Sequence, residues 1–329
     1  MLPPDKLWPI NEAWDFHAGG GKFKNIQLYS AALEARYGKA KDAADFAWKS
    51  QAMAYEGERA MFEAYGRNKY KATGVIQWML NNAWPGLIWH LYDYSLRPAG
   101  GYFGTKKALE LVHVQFSYDD RSVAIVNGRQ EPQSGLRLSA RTYDLSMKEL
   151  FAREAPVDLP ADGVVKSFAI PEPAAPNTTY FLNLELRGSS GELLSRNFYW
   201  LSTRPDTLAF DKTEWYYTPL TSYADFTALQ TLPQAVVKAS LKFNESGEEL
   251  SGHVVVENAS ATLAFLVRLR LLKGKDGIEI LPVFWEDNYL CLLPGEKREL
   301  TVHVRKSELR NAKPILAVDG FNVSPLTAH

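Results

Sequence analysis

The stretch GVIQWMLNNAWP, residues 74–85, decides how this chain is interpreted. It starts with a short apolar run, Gly74–Leu80, whose length and composition are typical of a buried β-strand. Trp78 lies within this run and Trp84 and Trp89 follow closely. Flat aromatic faces stack on sugar rings but also fill cores. A buried parallel strand needs neighbours on both sides, and nothing nearby supplies them. We therefore predict that the partners of this strand are missing from the chain.

Helical patterns surround that stretch. Residues 26–37 place apolar side chains three and four apart, with Gly38 as the stop. Residues 41–65 are rich in Ala, Glu, Lys and Met and carry an apolar stripe that ends at Gly66. A short helix is expected from Tyr102 to Leu111.

Beyond residue 113 the pattern changes to short alternating strands. The first set of predicted strands comprises 113–118, 122–126, 135–143, 164–170, 179–186 and 196–200. The second set comprises 235–244, 249–258, 264–272, 278–285, 299–304 and 314–318. The dipeptide Asn127-Gly128 is a strong tight-turn signal. Strands separated by turns at this spacing predict two β-sandwiches.

Composition excludes several classes of protein. The chain has 329 residues, enough for two or three domains, and its net charge of −1 does not indicate a nucleic-acid partner. No stretch approaches the roughly 20 apolar residues of a membrane span, so no membrane partner is expected. The first residues lack the basic start and apolar run of a signal peptide. The single cysteine, Cys291, lies in an apolar run and is interpreted as a buried, inert thiol.

Several stretches resemble family 2 glycoside hydrolases, in particular the exo-β-D-glucosaminidase and β-mannosidase branch. Residues 74–85 resemble the last barrel strand and its loop, and residues 113–123 resemble the start of a sandwich. Similar stretches are 87–93, 102–108, 221–229 and 320–322. The resemblance covers nearly the whole chain, and 74–123 is its specific part.

The resemblance implies a mostly β chain with two immunoglobulin-like sandwiches preceded by a helical remnant of a (β/α)₈ barrel. The expected domains are residues 1–112 for the barrel remnant, 113–204 for the first sandwich and 205–329 for the second. Barrel strands one to seven would be absent. A barrel remnant should expose apolar surface or be disordered unless something covers it, so we expect one or the other in residues 1–112.

Retaining glycosidases use two carboxylates about 5–5.5 Å apart, one as acid/base and one as nucleophile. In the family both follow earlier barrel strands, the usual place for barrel chemistry. Neither has a counterpart here, so we expect no catalytic residue and no activity from this chain alone; the nucleophile is expected shortly upstream of Met1. Asn11-Glu12 resembles the family's acid/base pair, but Pro9 interrupts the preceding segment. Glu12 is therefore interpreted as a solvated loop carboxylate.

The resemblance implies that Trp78, Asn81 and Trp84 line the sugar pocket, where an indole face stacks on the sugar and the amide bonds its hydroxyls. His17 is expected near the substrate. The alternative is that Trp78 or Trp84 only plugs the barrel mouth. Asp93 could bind a sugar amine or hydroxyl, although a hydrogen bond that orders its loop is favoured.

No cofactor or metal is expected. His113, His253 and His303 form no zinc pattern, and Asp119-Asp120 is interpreted as a turn rather than a calcium site. Aromatic side chains elsewhere suggest either a carbohydrate-binding face or packing between domains: Trp215, Tyr216, Tyr217 and Trp285.

The main hypothesis is the C-terminal part of a retaining, exo-acting β-glucosaminidase or β-mannosidase. Its partners would be a β-linked glucosaminide or mannoside and the missing N-terminal part of the same polypeptide, and the parent would be secreted or periplasmic. The alternatives are a non-catalytic carbohydrate-binding or structural sandwich protein and a split enzyme whose other half is a separate chain. The residues do not decide between the two sugars.

Overall fold

The computed structural model describes residues 1–19, 24–87, 89–174, 177–215, 217–274 and 277–328. Its strands are antiparallel and dominate the chain after residue 112, while the long helices precede them, so the predicted mostly β fold is confirmed. The helices are α1 Glu12–Phe16, α2 Gln27–Tyr37, α3 Ala43–Arg67, α4 Gly100–Ala108 and α5 Lys306–Leu309.

The two long predicted helices are present within a few residues of their expected ends. Helix α2 ends at Gly38, whose φ of 76° lies in the left-handed region that glycine enters without strain. Helix α3 begins after Asp42, whose carboxylate accepts from the backbone N–H of Asp45 at 2.8 Å. This N-cap satisfies a donor that the first helical turn leaves open.

Helix α4 packs closely on α3 through two glycines. A Cβ atom on Gly104 would lie 2.2 Å from the carbonyl oxygen of Tyr55, and one on Gly100 would lie 2.5 Å from that of Gln51. Neither contact is possible for a real side chain, so only glycine permits this helix–helix distance.

The first sandwich packs a sheet of order β1-β2-β5 against one of order β4-β3-β6-β7. Its strands are β1 Val112–Phe116, β2 Ser122–Asn127, β3 Gln133–Tyr143, β4 Glu149–Leu159, β5 Val164–Ala169, β6 Thr179–Arg187 and β7 Leu193–Ser202. The sequence did not indicate β4, which lies at a sheet edge, is largely exposed and contains Pro156. Proline is tolerated at such an edge because one side of the strand needs no N–H donor.

Asn127-Gly128 does not join two paired strands. Strand β2 pairs with β1 and β5, and the chain then crosses to the other sheet at β3. The side-chain amide of Asn127 donates to the carbonyls of Glu131 at 3.0 Å and Pro160 at 2.8 Å. The dipeptide therefore organises a crossover between sheets rather than a hairpin.

A short ribbon of β8 Thr207–Leu208 and β9 Leu220–Ser222 leads into the second sandwich. Its two sheets have the orders β10-β11-β15-β13 and β14-β12-β16-β17. Its strands are β10 Val237–Ser246, β11 Glu249–Asn258, β12 Ala264–Lys273, β13 Phe284–Trp285, β14 Leu290–Leu292, β15 Lys297–Arg305, β16 Pro314–Gly320 and β17 Val323–Ala328.

Two features of this sandwich differ from the prediction. The expected strand 278–285 is interrupted at Pro282, which lacks a backbone donor. Before it, Glu279 forms a single antiparallel bridge with Leu272, and after it Phe284–Trp285 pairs with β15. Strands β14 and β17 were missed, the first because it has three residues and the second because Pro325 lies within it.

Two sequence interpretations concern buried side chains. Cys291 is buried, and burial raises the pKa of its thiol to about 12, so the inert-thiol interpretation is confirmed. Trp285 is 5% exposed and belongs to the core, so of the two alternatives for this residue packing is favoured over a binding face. Tyr216 lies outside the described residues.

None of the helices in the described ranges is both long and apolar enough to cross a membrane.

A buried polar network joins α3 to the first sandwich. Arg59 and Glu63 on α3 are 0% exposed, and His113 on β1 is 1% exposed. One oxygen of Glu63, Oε1, lies 2.9 Å from His113 Nε2 and also accepts from Asn197 at 2.6 Å and Tyr199 at 2.8 Å. Removing one partner would leave an uncompensated charge in the interior, which is strongly destabilising.

Arg59 is held from two sides. Its Nη1 donates to Asn197 at 3.1 Å and to the carbonyl of Phe198 at 2.6 Å. The guanidinium also lies over the ring of Tyr199, with its carbon 4.0 Å from the centroid. This cation–π contact is stronger than one at the surface because the site is dry.

His113 has a carboxylate at each ring nitrogen, since Nδ1 lies 3.3 Å from Glu110. Burial by itself lowers the pKa of His113, but the hydrogen bonds to Glu110 and Glu63 outweigh it and raise the pKa above 6.5. Burial opposes ionisation of Glu110, yet His113 and Lys107 lower its pKa to about 2. The folded chain therefore favours an imidazolium between two carboxylates.

The pH dependence of unfolding follows from this network. The folded pKa of His113 is raised, so its stabilising contribution is complete below about pH 6.5 and is lost as the pH rises through the folded value. We expect the Tm of the chain to fall over that range, and His113→Gln to lower the Tm at pH 6 by roughly 5–10 °C with a flatter pH profile.

Differential scanning calorimetry from pH 5 to 9 measures this effect. The matched control is His253→Gln, because the side chain of His253 on β11 is 47% exposed and pairs with Glu299 at 3.4 Å. Equal pH profiles for the wild-type chain and His113→Gln would contradict the assignment.

Candidate functional site

Residues 74–80 are extended but belong to no sheet of the described structure. Alternate side chains point outward, with Ile76 88%, Trp78 72% and Leu80 60% exposed. The prediction of a buried strand is wrong for this chain, because none of the described strands pairs with it. The predicted exposure of apolar surface in residues 1–112 is confirmed. Exposed and half-buried side chains alternate along residues 74–80, as they do in a β-strand, although none of the described strands lies beside it.

The segment folds back on itself after Leu80. Met79 N–H and the side-chain amide of Gln77 both donate to the carbonyl of Trp89, at 2.7 and 3.0 Å. The carbonyl of Leu80 accepts from Leu91 and Tyr92. We call residues 78–92 the aromatic loop. Backbone bonds at its base set the positions of the indoles of Trp78 and Trp89.

His17 and Trp84 are brought together across 67 residues of sequence. Their rings stack with centroids 5.2 Å apart and an interplanar angle of 25°. His17 Nδ1 lies 2.6 Å from the carbonyl of Pro85, and the carbonyl of His17 accepts from Leu87 at 2.9 Å. Phe16 adds an edge contact to Trp84 at 5.4 Å. Trp84 remains 46% exposed.

A cleft of about 980 Å³ lies beside the aromatic loop. One wall is a face of α3 that carries small and aromatic side chains, another is the aromatic loop, and the second sandwich closes one end. Trp78 lines this cleft, whereas His17, Asn81 and Trp84 are not among its lining residues. Asn81 is exposed at the turn of the loop. The four predicted site residues therefore form more than one group.

Among the residues that the structure describes, three carboxylates line the cleft, and two of them share one arginine. Asp93 Oδ2 accepts from Arg97 at 2.7 Å, and Glu279 accepts from Arg97 at 2.8 Å. Asp93 Oδ1 also accepts from the backbone of Ser95 and Arg97, so its interpretation as a loop-ordering residue is confirmed. Carboxylates held in this way are poor candidates for a nucleophile or a general base.

Glu58 is the third carboxylate. Its Oε2 is buried and has no hydrogen-bond partner among the described residues, and Gly101 of α4 lies against its side chain. Burial raises the pKa of this carboxyl to about 7. Of the cleft-lining carboxylates in the described ranges, it is the one outside an ion pair.

The remaining candidates have structural positions. The Glu12 side chain is 89% exposed and lies 3.9 Å from Lys6, which confirms the solvated interpretation. Asp120 accepts from the backbone of Ser122 in a turn where Arg121 has a φ of 60°. Among the residues that the structure describes, no group of three or more His, Cys, Asp or Glu side chains could hold a metal ion.

Sequence reasoning missed Gln77, Trp89, His90 and Glu58 as cleft residues. Trp89 was noted as one of three closely spaced tryptophans, but its place beside the cleft depends on the backbone bonds that fold the aromatic loop back. Glu58 gave no signal, because a Glu within an Ala- and Lys-rich helix is normally solvated. Its burial depends on the packing of α4 against α3, which the sequence did not reveal.

Comparison with known proteins gives two family matches. Residues 119–203 match the mannosidase Ig/CBM-like domain, and residues 215–323 match the exo-β-D-glucosaminidase Ig-fold domain. An exo-β-D-glucosaminidase from Streptomyces avermitilis is 39% identical over 99% of this chain and 38% of its own length. One from Amycolatopsis orientalis is 36% identical over 98% of this chain and 32% of its own length.

A solved structure is similar to this chain over nearly its whole length. The crystal structure of the Amycolatopsis orientalis exo-chitosanase has a TM-score of 0.93 and 34% identity, over 98% of this chain and 39% of that one. The chain thus spans between 32% and 39% of these proteins. These findings confirm the resemblance to a C-terminal portion of a family 2 glycoside hydrolase.

Glu58 generates a testable prediction. Because its folded pKa is raised from 4.5 to about 7, the folded state favours the protonated carboxyl and loses stability as the pH rises through about 7. Glu58→Gln should therefore raise the Tm by roughly 1–3 °C at pH 8 and change it little at pH 4.5.

Thermal unfolding followed by circular dichroism at both pH values tests this expectation. Glu34→Gln on exposed positions of α2 is the matched control. A stabilisation by Glu58→Gln that is equal at the two pH values would disprove the raised pKa.

Proposed function

We propose that this chain is the C-terminal part of a retaining, exo-acting β-glycosidase, and that the complete polypeptide removes a terminal β-linked glucosaminyl residue. The relatives at 33–39% identity are exo-β-D-glucosaminidases, whereas an endo-β-mannosidase that covers 95% of the chain is only 26% identical, which favours glucosaminyl over mannosyl. The chain spans less than two fifths of those relatives, so the activity belongs to the longer protein.

The observation that carries the proposal is the exposed indole of Trp78 on the wall of the cleft. A side chain of this size that is 72% exposed loses hydrophobic stabilisation unless something covers it. In an exo-acting enzyme the terminal sugar presents apolar C–H faces, which a flat indole covers well. The cleft volume of about 980 Å³ lies at the upper end of the range for small-molecule sites.

Double displacement needs a general acid/base and a nucleophile placed on either side of the glycosidic bond. Asp93 and Glu279 are both bound to Arg97, and Glu58 stands without an ionised partner. We infer that the remainder of the polypeptide contributes both catalytic groups. The role of this chain is then to provide one wall of the sugar site and to hold that wall in place.

Trp84 and His17 form a second aromatic surface close to the same loop. The imidazole covers one side of the indole, and the carbonyl of Pro85 orients the imidazole. We propose that the stack fixes the outer turn of the aromatic loop, so that His17 acts on the sugar site through Trp84.

A non-catalytic carbohydrate-binding protein is the other candidate. It is favoured by Trp215 and Phe210, which are 92% and 74% exposed near the β8–β9 ribbon. Exposed aromatic side chains on a sandwich protein are typical of surfaces that bind polysaccharides.

Replacement of Trp78 separates the two candidates. In the complete enzyme, Trp78→Ala should lower kcat/KM for an aryl β-D-glucosaminide by about 5- to 30-fold, because a buried stacking contact contributes about 1–2 kcal/mol. Trp215→Ala is the matched control and should leave hydrolysis unchanged.

Steady-state kinetics on aryl β-D-glucosaminide and β-D-mannoside measure both variants. Unchanged kinetics in Trp78→Ala would refute the proposed wall. Loss of chitosan binding in Trp215→Ala alone, without hydrolysis by any form, would favour the binding protein.

A further inference from the structure

We infer that the second sandwich positions the aromatic loop, and that the ion pair between Arg97 and Glu279 is the contact that does so. The two residues are 182 positions apart, and Arg97 Nε donates to Glu279 Oε2 at 2.8 Å. The inference rests on the proposed function, because it assigns Arg97 and Glu279 as positioning residues for the sugar wall formed by Trp78.

The path from Trp78 to Arg97 consists of short backbone bonds. Leu80 at the base of the aromatic loop accepts from Leu91 and Tyr92 at 3.0 and 2.9 Å. The carbonyl of Leu91 accepts in turn from Ala99 at 3.2 Å. The loop is therefore attached to residues 91–99, and a shift of that segment moves the loop.

The segment from Asp93 to Arg97 is a tight turn with Arg97 at its end. Asp93 N–H donates to the carbonyl of Arg97 at 3.0 Å, and Asp93 Oδ1 accepts from Ser95 and Arg97 at 2.8 and 2.9 Å. The guanidinium then closes the turn on Asp93 Oδ2 at 2.7 Å. The turn orders itself locally, but nothing within it fixes its position against the rest of the molecule.

Glu279 provides the fixed point. Its side chain is 12% exposed, and its backbone is bridged to Leu272 on β12, a strand at the centre of the second sandwich. The neighbouring cations Arg268 and Arg270 are both occupied by Asp319, at 2.7 and 2.9 Å. The carboxylate of Glu279 is therefore available to Arg97, and a charge-assisted bond of this length is strongly directional.

A second contact between the same bodies supports this assignment. Lys106 on α4 donates to the carbonyl of Trp285 at 2.7 Å, so the second sandwich also holds the helix that follows the turn. The Arg97–Glu279 ion pair and the Lys106–Trp285 hydrogen bond together restrict the movement of the turn relative to the second sandwich. Loss of the Arg97–Glu279 bond should release the turn while α4 stays in place.

Hydrogen exchange on the chain itself tests the coupling. We expect Glu279→Gln to raise amide exchange in residues 78–92 by about 3- to 10-fold without raising it in α4. Glu286→Gln is the matched control, since Glu286 in the same sandwich bonds only to Thr301 among the described contacts. Arg97→Lys keeps the charge and should give a smaller increase.

Kinetics of the complete enzyme test the consequence. Glu279→Gln should raise KM for the aryl β-D-glucosaminide by about 3-fold or more, with a smaller change in kcat. Arg97→Gln should give a similar effect, and the double variant should be no worse than either single variant.

Two outcomes overturn the inference. Unchanged exchange of residues 78–92 in Glu279→Gln refutes the coupling, whatever Trp78→Ala does to hydrolysis. Faster exchange with unchanged KM, in an enzyme that Trp78→Ala impairs, refutes the positioning role and leaves the proposed function standing.

Discussion

The buried network of Arg59, Glu63 and His113 is the constraint on which the arrangement of this molecule depends. It places Glu63 of α3 against β1 and β7, where water cannot replace a lost partner. Charges in such a setting tolerate very little displacement. The axis of α3 is therefore fixed relative to the first sandwich, and α4 follows because its glycines pack on the backbone of α3.

The cleft is a joint product of three bodies. Helix α3 and the aromatic loop each provide a wall, and the second sandwich holds the turn that follows the aromatic loop. In this view the two sandwiches have different roles, since the first orients the helix and the second orients the loop. Both roles fit a C-terminal portion that supports a catalytic site formed largely by other segments.

The sequence predicted some elements well and others poorly, and the difference has a physical basis. Helix α3 and the alternating strands such as β11 and β15 carry a period that a short window detects. Edge strand β4 and three-residue β14 show little alternation of apolar and polar residues. A largely exposed strand need not bury one face, and three residues are too few to define a pattern. Residues 74–80 have the composition of a buried strand, but burial needs neighbours that composition does not provide.

The sequence by itself determined the fold class, the resemblance to family 2 glycoside hydrolases and the aromatic character of residues 78–92. It identified Trp78, Asn81, Trp84 and His17 as candidates, yet it did not divide them between a cleft and a separate stack. Only the tertiary structure decided that division, the raised pKa of Glu58 and the partners of Glu63 and Glu279. The reason is that ionisation and pairing depend on groups far apart in the chain, such as Arg97 and Glu279, whereas local patterns report only on a residue's nearest neighbours.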